Sequence, residues 1–352
     1  MIQAVATVRA MSSYALAELS DAAAISLAQN ESLRAPSPKA LEAGQAALTG
    51  CQMYPDPDWT LLRHAIATAH PVTSEQVLCG AGSMELIGGL IRAFAGPGDD
   101  VIGTQFGYAF LATATRQAGA NYIAAPEIDY RVDIHTLLAE VTPATRLVCV
   151  CNPGNPTGTR LPNSEILRLR EMLRSDILLL VDQAYAEFDD QDHAGVFRLV
   201  DRGDTVVTRT LSKAYGLAGA RAGWGAFPVP IGAEVRKLLN PNNIAYVSQA
   251  MAQAAMTDQG YMRQTVALTG TVRDQFTARV RSAGYAAPSS ATNFVLIPFK
   301  DVGAAMCANT ALRNAGYILR GMGGYGLPQC LRATVGTQSV MMAVADILEE
   351  IA

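Results

Sequence analysis

Lys213 and Arg221 stand eight positions apart in "TRTLSKAYGLAGARAG" (Thr208 to Gly223), where most other residues are small, apolar or hydroxyl-bearing. A lysine in apolar surroundings near other positive charge has a lowered amine pKa and can act as a nucleophile or form a Schiff base. Thr210, Ser212 and Arg221 add two hydroxyls and a planar, permanently charged fork, a set that suits a phosphate group. In "VDQAYAEF", Asp182 follows an apolar run and Tyr185 comes three residues later. A carboxylate there must pair with a buried cation or a protonated ring nitrogen, unless it caps the next helix. In "NPGNPTG" (Asn152 to Gly158), two prolines fix φ and Gly158 permits a turn closed to most residues. Beyond an ordinary tight turn, that loop would hold the Asn155 amide at the carboxyl edge of a sheet, where open α/β sheets bind ligands. "GAGSME" (Gly80 to Glu85) is a glycine-rich turn into a helix, which makes an anion site. Glu85 stands where a dinucleotide fingerprint needs its third glycine, so a phosphate cradle is the better reading.

Together these stretches supply a phosphate site, a Schiff-base lysine, an acid for a pyridinium nitrogen, and Asn and Tyr donors for a phenolate. Pyridoxal 5'-phosphate asks this of its protein.

The elements that must position these residues follow from periodicity. "QVLCG", "DDVIGT", "RLVCVCNP", "ILLLVDQAY" and "TVVTRTLS" read as strands. They alternate with helical patterns at "SMELIGGLIRAFA", "AFLATATRQAG" and "NSEILRLREMLR". Continuous apolar strands alternating with helices predict a parallel sheet covered on both faces. From Ile244 to about Ser282 a long, nearly glycine-free stretch predicts a connecting helix. The remainder mixes strands ("TNFVLIPF", "YILRG", "CLRATVG") with helices near "AAMCANTALRNAG" and from Val340. The expected organisation is a large α/β domain over 35–243 and a smaller α+β domain over 1–34 and 244–352.

Half of the 352 residues are apolar and 16% are charged, enough for a large core. With a net charge of -4 and no basic stripe, no nucleic-acid partner is expected. No apolar run nears the roughly 20 residues of a membrane span. The N-terminus lacks the pattern of a signal peptide, and the six cysteines form no CxxC, so free thiols in the cytoplasm are expected. Four scattered histidines argue for no metal site.

In order along nearly the whole length, the chain resembles the fold-type I pyridoxal-phosphate aminotransferases, and among them the histidinol-phosphate aminotransferase group. The residues that carry the resemblance are "VRAMSSYA", "NES" with "PSPKALEA", "YPDPDWTLLRHAIA", "GAGSMELIGGLIRAF", "NPGNPTG", "VDQAYAEF", "TLSKAYGLAGARAGW", "TNFVLI" and "GLPQCLRATVGT". The resemblance implies an aspartate-aminotransferase-like large domain whose mostly parallel sheet is sandwiched by helices. It further implies that Lys213 carries the cofactor as the internal aldimine, that Asp182 pairs with the pyridinium nitrogen, and that Asn155 and Tyr185 bond the phenolate oxygen. Ser212, Arg221, Thr210 and backbone around Ala81, Gly82 and Ser83 would hold the phosphate, and Phe110 of "QFGYAF" would stack on the ring. Tyr54 would reach the phosphate of a partner subunit, implying a homodimer with shared active sites. Arg332 and Arg320 would grip the substrate's anionic groups, with Tyr14 and Asn30 facing the substrate.

The implied reaction moves an amino group by ping-pong between an amino acid or amino-alcohol phosphate, histidinol-phosphate-like or aromatic, and 2-oxoglutarate. A pyridoxal-phosphate lyase, such as a threonine-phosphate decarboxylase, shares the same motifs. A regulatory ligand-binding domain of this fold is disfavoured by the intact Lys213 and Asp182. The chain departs from the group in "NESLRAPSP", "GAGS" and "QFGYAF", loops that face the substrate, so substrate identity is the open part of the reading.

Overall fold

The computed structural model of the chain describes residues 2–9, 11 and 24–352; Tyr14 lies outside the described residues. Two sheets organise it. β1 (Ile25–Leu27) belongs to a four-stranded sheet completed late in the chain. Between its parts lie β2 (Val77–Gly80), β3 (Asp100–Thr104), β4 (Asn121–Ala125), β5 (Thr145–Cys151), β6 (Leu178–Asp182), β7 (Thr205–Thr210) and β8 (Gly223–Ala226). These seven form one sheet in the order β2-β8-β7-β6-β5-β3-β4. The second sheet, β1-β10-β11-β9, adds β9 (Phe294–Pro298), β10 (Tyr317–Gly321) and β11 (Cys330–Thr334).

The large sheet is parallel except at β8, which runs antiparallel to both β2 and β7. Every residue of β6 and β7 is buried, because helices cover both faces. The helices Ser83–Phe94, Ala109–Gln117 and Asn163–Met172 lie at the three helical patterns of the sequence. Leu86, Ile87, Val148, Leu180, Val207 and Trp224 sit in the larger core. Val272, Phe276, Val295, Ile297, Leu331 and Leu348 sit in a second core beneath the small sheet. Several helices start on side-chain caps: Ser37 accepts from the Ala40 amide with Pro38 at the first helical position, and Asp301 accepts from the Ala304 amide.

Three features differ from the pattern read in the sequence. β8 ("GWGA") and β4 ("NYIAA") lack the β-branched run that marks a strand, and are recruited by neighbours rather than by propensity. The long helical stretch is two helices, Tyr246–Thr257 and Gln259–Ser282, broken at Asp258 (φ -103, ψ 56). Ala252, Ala255 and Met256 of the first belong to the larger core, so that helix leans on the large sheet's side and the second one on the small sheet's side. At the other end of the chain, β1 pairs in parallel with β10, Ile25 opposite Tyr317.

The six cysteines are free, four of them buried. Among the described residues no helix is long and apolar enough to cross a membrane, and no cluster of His, Cys, Asp or Glu could hold a metal ion.

Candidate active site

The carboxyl ends of β2, β5, β6 and β7 open on one cavity of about 420 Å³. Parallel strands present their ends on a shared edge, so residues distant in sequence arrive together. Lys213 follows β7, Asp182 ends β6, Asn155 follows β5, and Gly82 and Ser83 follow β2; all line the cavity. Tyr185, Thr210, Ser212, Arg221, Arg320, Arg332 and Asn30 line it too.

The Lys213 ammonium donates to the Gln29 carbonyl at 3.1 Å and lies 5.9 Å from the centre of the Tyr185 ring. Desolvation, helped by the positive charges of Arg332 and Arg221, brings its pKa from 10.5 down to about 7; Glu31 opposes the shift. Asp182 is buried (3% exposed) and its hydrogen bonds come from neutral groups. Thr208 Oγ1 donates to one oxygen at 2.9 Å and the Cys151 thiol lies 3.8 Å from the other. Cys151, Asp182 and Thr208 are register partners across β5, β6 and β7, which sets the three side chains in a row. Burial raises the Asp182 pKa to about 6, against the pull of those hydrogen bonds.

Also on the lining, Thr210 Oγ1 donates to Ser212 Oγ at 3.0 Å, and Arg221 donates to the Ala218 carbonyl at 3.0 Å. Arg221 adopts φ 51, a left-handed conformation that non-glycine residues hold only where surroundings enforce it. The turn before the Ser83–Phe94 helix admits no extra atoms: a Cβ on Gly223 would fall 2.4 Å from the Ser83 nitrogen, and one on Gly82 2.6 Å from Arg221 Nη2. Two glycines thus let the helix start and the Arg221 guanidinium lie close together, on the cavity lining that Thr210 and Ser212 share. The Ala81 amide is not among its donors. It bonds the Glu85 carboxylate at 2.7 Å, and the Gly82 amide bonds the Gly80 carbonyl at 2.7 Å. The helix's own first turn, from Ser83, is what faces the cavity.

Arg332 is buried and joins the two sheets at the site. It donates to Asn155 Oδ1 at 2.5 Å and to the Ala28 carbonyl at 3.0 Å. The Asn155 oxygen accepts from Arg332, and its NH₂ hydrogens remain to donate to a ligand. The Arg332 Nε is buried and makes no hydrogen bond among the described residues. Burial lowers the Arg332 pKa, so an anion placed there would meet a poorly solvated cation.

Besides Ala81, two expected residues fall outside the lining. Phe110 does not line the cavity: it lies in the first turn of its helix with its ring end over Gly88, where a Cβ would sit 3.4 Å away. Tyr108, immediately before that helix, is the aromatic residue of "QFGYAF" that lines the cavity. Tyr54 is 86% exposed and outside the cavity. Sequence reasoning also missed Gln29, Glu31, Met84 and Tyr325 in the lining, and the support that Thr208 and Cys151 give Asp182. Strand register was the available signal for the last two, since "VTRT" and "VCVC" lie beside "LLVD". Arg209, a third cation in the Lys213 stretch, points to the opposite face of β7 and pairs in the core with buried Glu187 at 3.1 Å.

Residues 22–348 match the family model described as aminotransferase class I and II. The histidinol-phosphate aminotransferase of Paramagnetospirillum magneticum is 40% identical over 330 residues, covering 93% of this chain and 91% of the relative. That of Rhodospirillum rubrum is 41% identical over 328 residues, covering 92% and 89%. Among solved structures, the Sinorhizobium meliloti histidinol-phosphate aminotransferase in complex with pyridoxal-5'-phosphate superposes with a TM-score of 0.88 at 29% identity, covering 93% of this chain and 90% of that one. A Thermus thermophilus aspartate aminotransferase mutant shares the fold, with a TM-score of 0.84 at 19% identity over the full length of both chains.

Proposed function

The chain belongs to the class I and II aminotransferase family, and on that premise we propose that it is a pyridoxal-phosphate-dependent aminotransferase whose amino donor carries a phosphate or carboxylate, with an amino alcohol phosphate of the histidinol phosphate type as the leading candidate and aromatic amino acids next. The acceptor in this reading is a 2-oxo acid such as 2-oxoglutarate. The observation that carries it is Lys213, an amine brought to about 7 in the same cavity as a buried carboxylate and an anion cradle.

The residues present fit the cofactor. The cradle that a Cβ on Gly82 or Gly223 would fill suits its phosphate, and the donors there are Arg221, Ser212 and the first turn from Ser83, with Thr210 bonded to the Ser212 hydroxyl. Asp182, buried beside neutral donors only, fits a protonated ring nitrogen. Asn155 and Tyr185 are the donors for the ring oxygen. Bound there, pyridoxal phosphate supplies an electron sink that acidifies the Cα–H of an amino donor.

The chain's own groups then do the rest. Lys213, neutral in a large fraction near pH 7, can take a proton from the donor's Cα and deliver it again. Asp182, once it faces a cation, is held as a carboxylate and keeps the ring nitrogen protonated. Arg332 and Arg320 fix the donor's anionic group, and the unsatisfied Nε of Arg332 leaves capacity for a ligand oxygen. One cavity must serve donor and acceptor in turn, so ping-pong kinetics are expected. The reading includes a homodimer with shared sites, with Tyr54 of each chain reaching toward the other's cradle.

The test is an amino-donor screen on the holoenzyme, read by conversion of the cofactor to its amino form and by glutamate formation from 2-oxoglutarate. Histidinol phosphate should give the highest kcat/KM, with aromatic amino acids weaker. Release of CO₂ from a phosphorylated amino acid, without glutamate formation, would replace this reading with a lyase.

A further inference from the structure

Asn30 lines the cavity, yet its polar atoms are already engaged. Its side-chain NH₂ donates to the Tyr185 hydroxyl oxygen at 2.8 Å. Its backbone N–H donates to Thr334 Oγ1 at 2.9 Å, and Thr334 Oγ1 donates back to Asn30 Oδ1 at 3.3 Å. Its carbonyl accepts from the Asn293 side chain at 3.1 Å. It is 2% exposed and holds φ 55, a left-handed conformation that asparagine tolerates better than most residues. These bonds also fix which way the amide faces. Thr334 has one hydroxyl proton, and this arrangement gives it an acceptor. Turning the amide over would leave that buried proton without one.

The consequence falls on Tyr185. Its hydroxyl has one proton and accepts from Asn30, so the proton points away from Asn30, and Tyr185 lines the cavity. We propose that Asn30, backed by Thr334, is a positioning residue that makes the Tyr185 hydroxyl an acceptor on one side and so directs its proton to the cofactor's ring oxygen. The inference rests on the cofactor reading above. It differs from the sequence expectation for Asn30, which was contact with the substrate. Burial reinforces the effect, because it raises the Tyr185 pKa and keeps the proton on the oxygen. Tyr185 follows the large sheet's β6, whereas Thr334 lies on β11 of the small sheet. The donor that would face the cofactor is therefore aimed from the opposite sheet.

A hydrogen bond to the ring oxygen stabilises its anionic form and lowers the pH at which the bound cofactor's visible band titrates. Asn30→Gly removes the amide without straining a positive φ. In the reconstituted holoenzyme it should raise that midpoint, by about one pH unit if the bond is worth about 1.4 kcal/mol. Tyr185→Phe should raise it at least as far, and Asn30→Gly added to Tyr185→Phe should raise it no further. Thr334→Val, which frees the amide to turn over, should give a smaller rise. No shift in Asn30→Gly, or the same shift in both backgrounds, overturns the inference while the cofactor reading stands. Failure of the wild-type apoprotein to take up pyridoxal phosphate, measured by the same spectrum, overturns the cofactor reading and this inference with it.

Discussion

Lys213 leaves a mark on stability as well as on chemistry. In the folded apoprotein its amine loses its proton near pH 7, while in the unfolded chain it keeps it to about 10.5. Between those values the unfolded state binds more protons, so stability rises with pH across that window; below pH 7 the cost of burying the charge is fully present. Denaturant midpoints of the apoprotein from pH 7 to 10 should therefore climb relative to those of Lys213→Met, which has nothing to titrate. Parallel curves for the two proteins would mean that the amine is not desolvated. Lysine, aspartate and arginine were legible in the sequence because charge among small and apolar residues is conspicuous. Thr208 and Cys151 were not, since a threonine or cysteine in a strand looks ordinary until register sets it beside Asp182. That Tyr108 rather than Phe110 lines the cavity was hidden for a related reason. Which aromatic ring reaches the cavity depends on where the helix begins, at Ala109, and helix starts are read from sequence only to within a few residues.

At the scale of elements, the site depends on how closely β8 approaches the turn after β2. Gly223 pairs with Gly80 across those antiparallel strands, at the point where the Ser83–Phe94 helix starts. In Gly223→Ala the new methyl would lie 2.4 Å from Ser83 N and 2.6 Å from the Gly82 carbonyl carbon, both backbone atoms that cannot swing aside. Backbone must move, at a cost of about 1 to 3 kcal/mol by the scale of overpacked sites. The cradle moves with it, so the apoprotein's Kd for pyridoxal phosphate should rise by about tenfold or more, on the measure that 1.4 kcal/mol is a factor of ten. Fluorescence titration with the cofactor and thermal melts check the two halves separately. A variant with unchanged Kd would show that the cradle does not hold the phosphate. The glycines that create this approach also hide it: "GWGA" has almost no strand signal, so β8 is recognisable only as the partner that β2 and β7 lack. The strongly apolar β5 and β6 were legible at once, because a strand buried on both faces needs no context.

At the scale of the whole molecule, the single chain has a cavity that most of its expected residues line, with Tyr54 left outside it. Tyr54 is 86% exposed, and Leu48, Met53 and Leu61 nearby are exposed as well, an apolar edge beside a helix pair. The alternation of strands and helices could reveal two sheets and the edge where they meet, since those follow from one chain's periodicity. It could not reveal a contact between two chains, which leaves no period and shows only as apolar residues with nothing over them. If the protein is a dimer with each Tyr54 serving the other chain's cradle, the two functions can be separated by mixing. Lys213→Ala abolishes chemistry in its own site, and Tyr54→Ala weakens cofactor retention in the neighbour's. In a heterodimer of the two variants, one site collects both defects and the other collects none. A closed twofold assembly re-formed at random from equal amounts yields hetero pairs as half of its dimers, so about a quarter of all sites should be intact. At a pyridoxal phosphate level that starves the Tyr54→Ala homodimer, the mixture should regain roughly that fraction of wild-type activity, and light scattering should report twice the chain mass. A dimeric mixture no more active than the mean of its two components would show that each site is built from one chain alone.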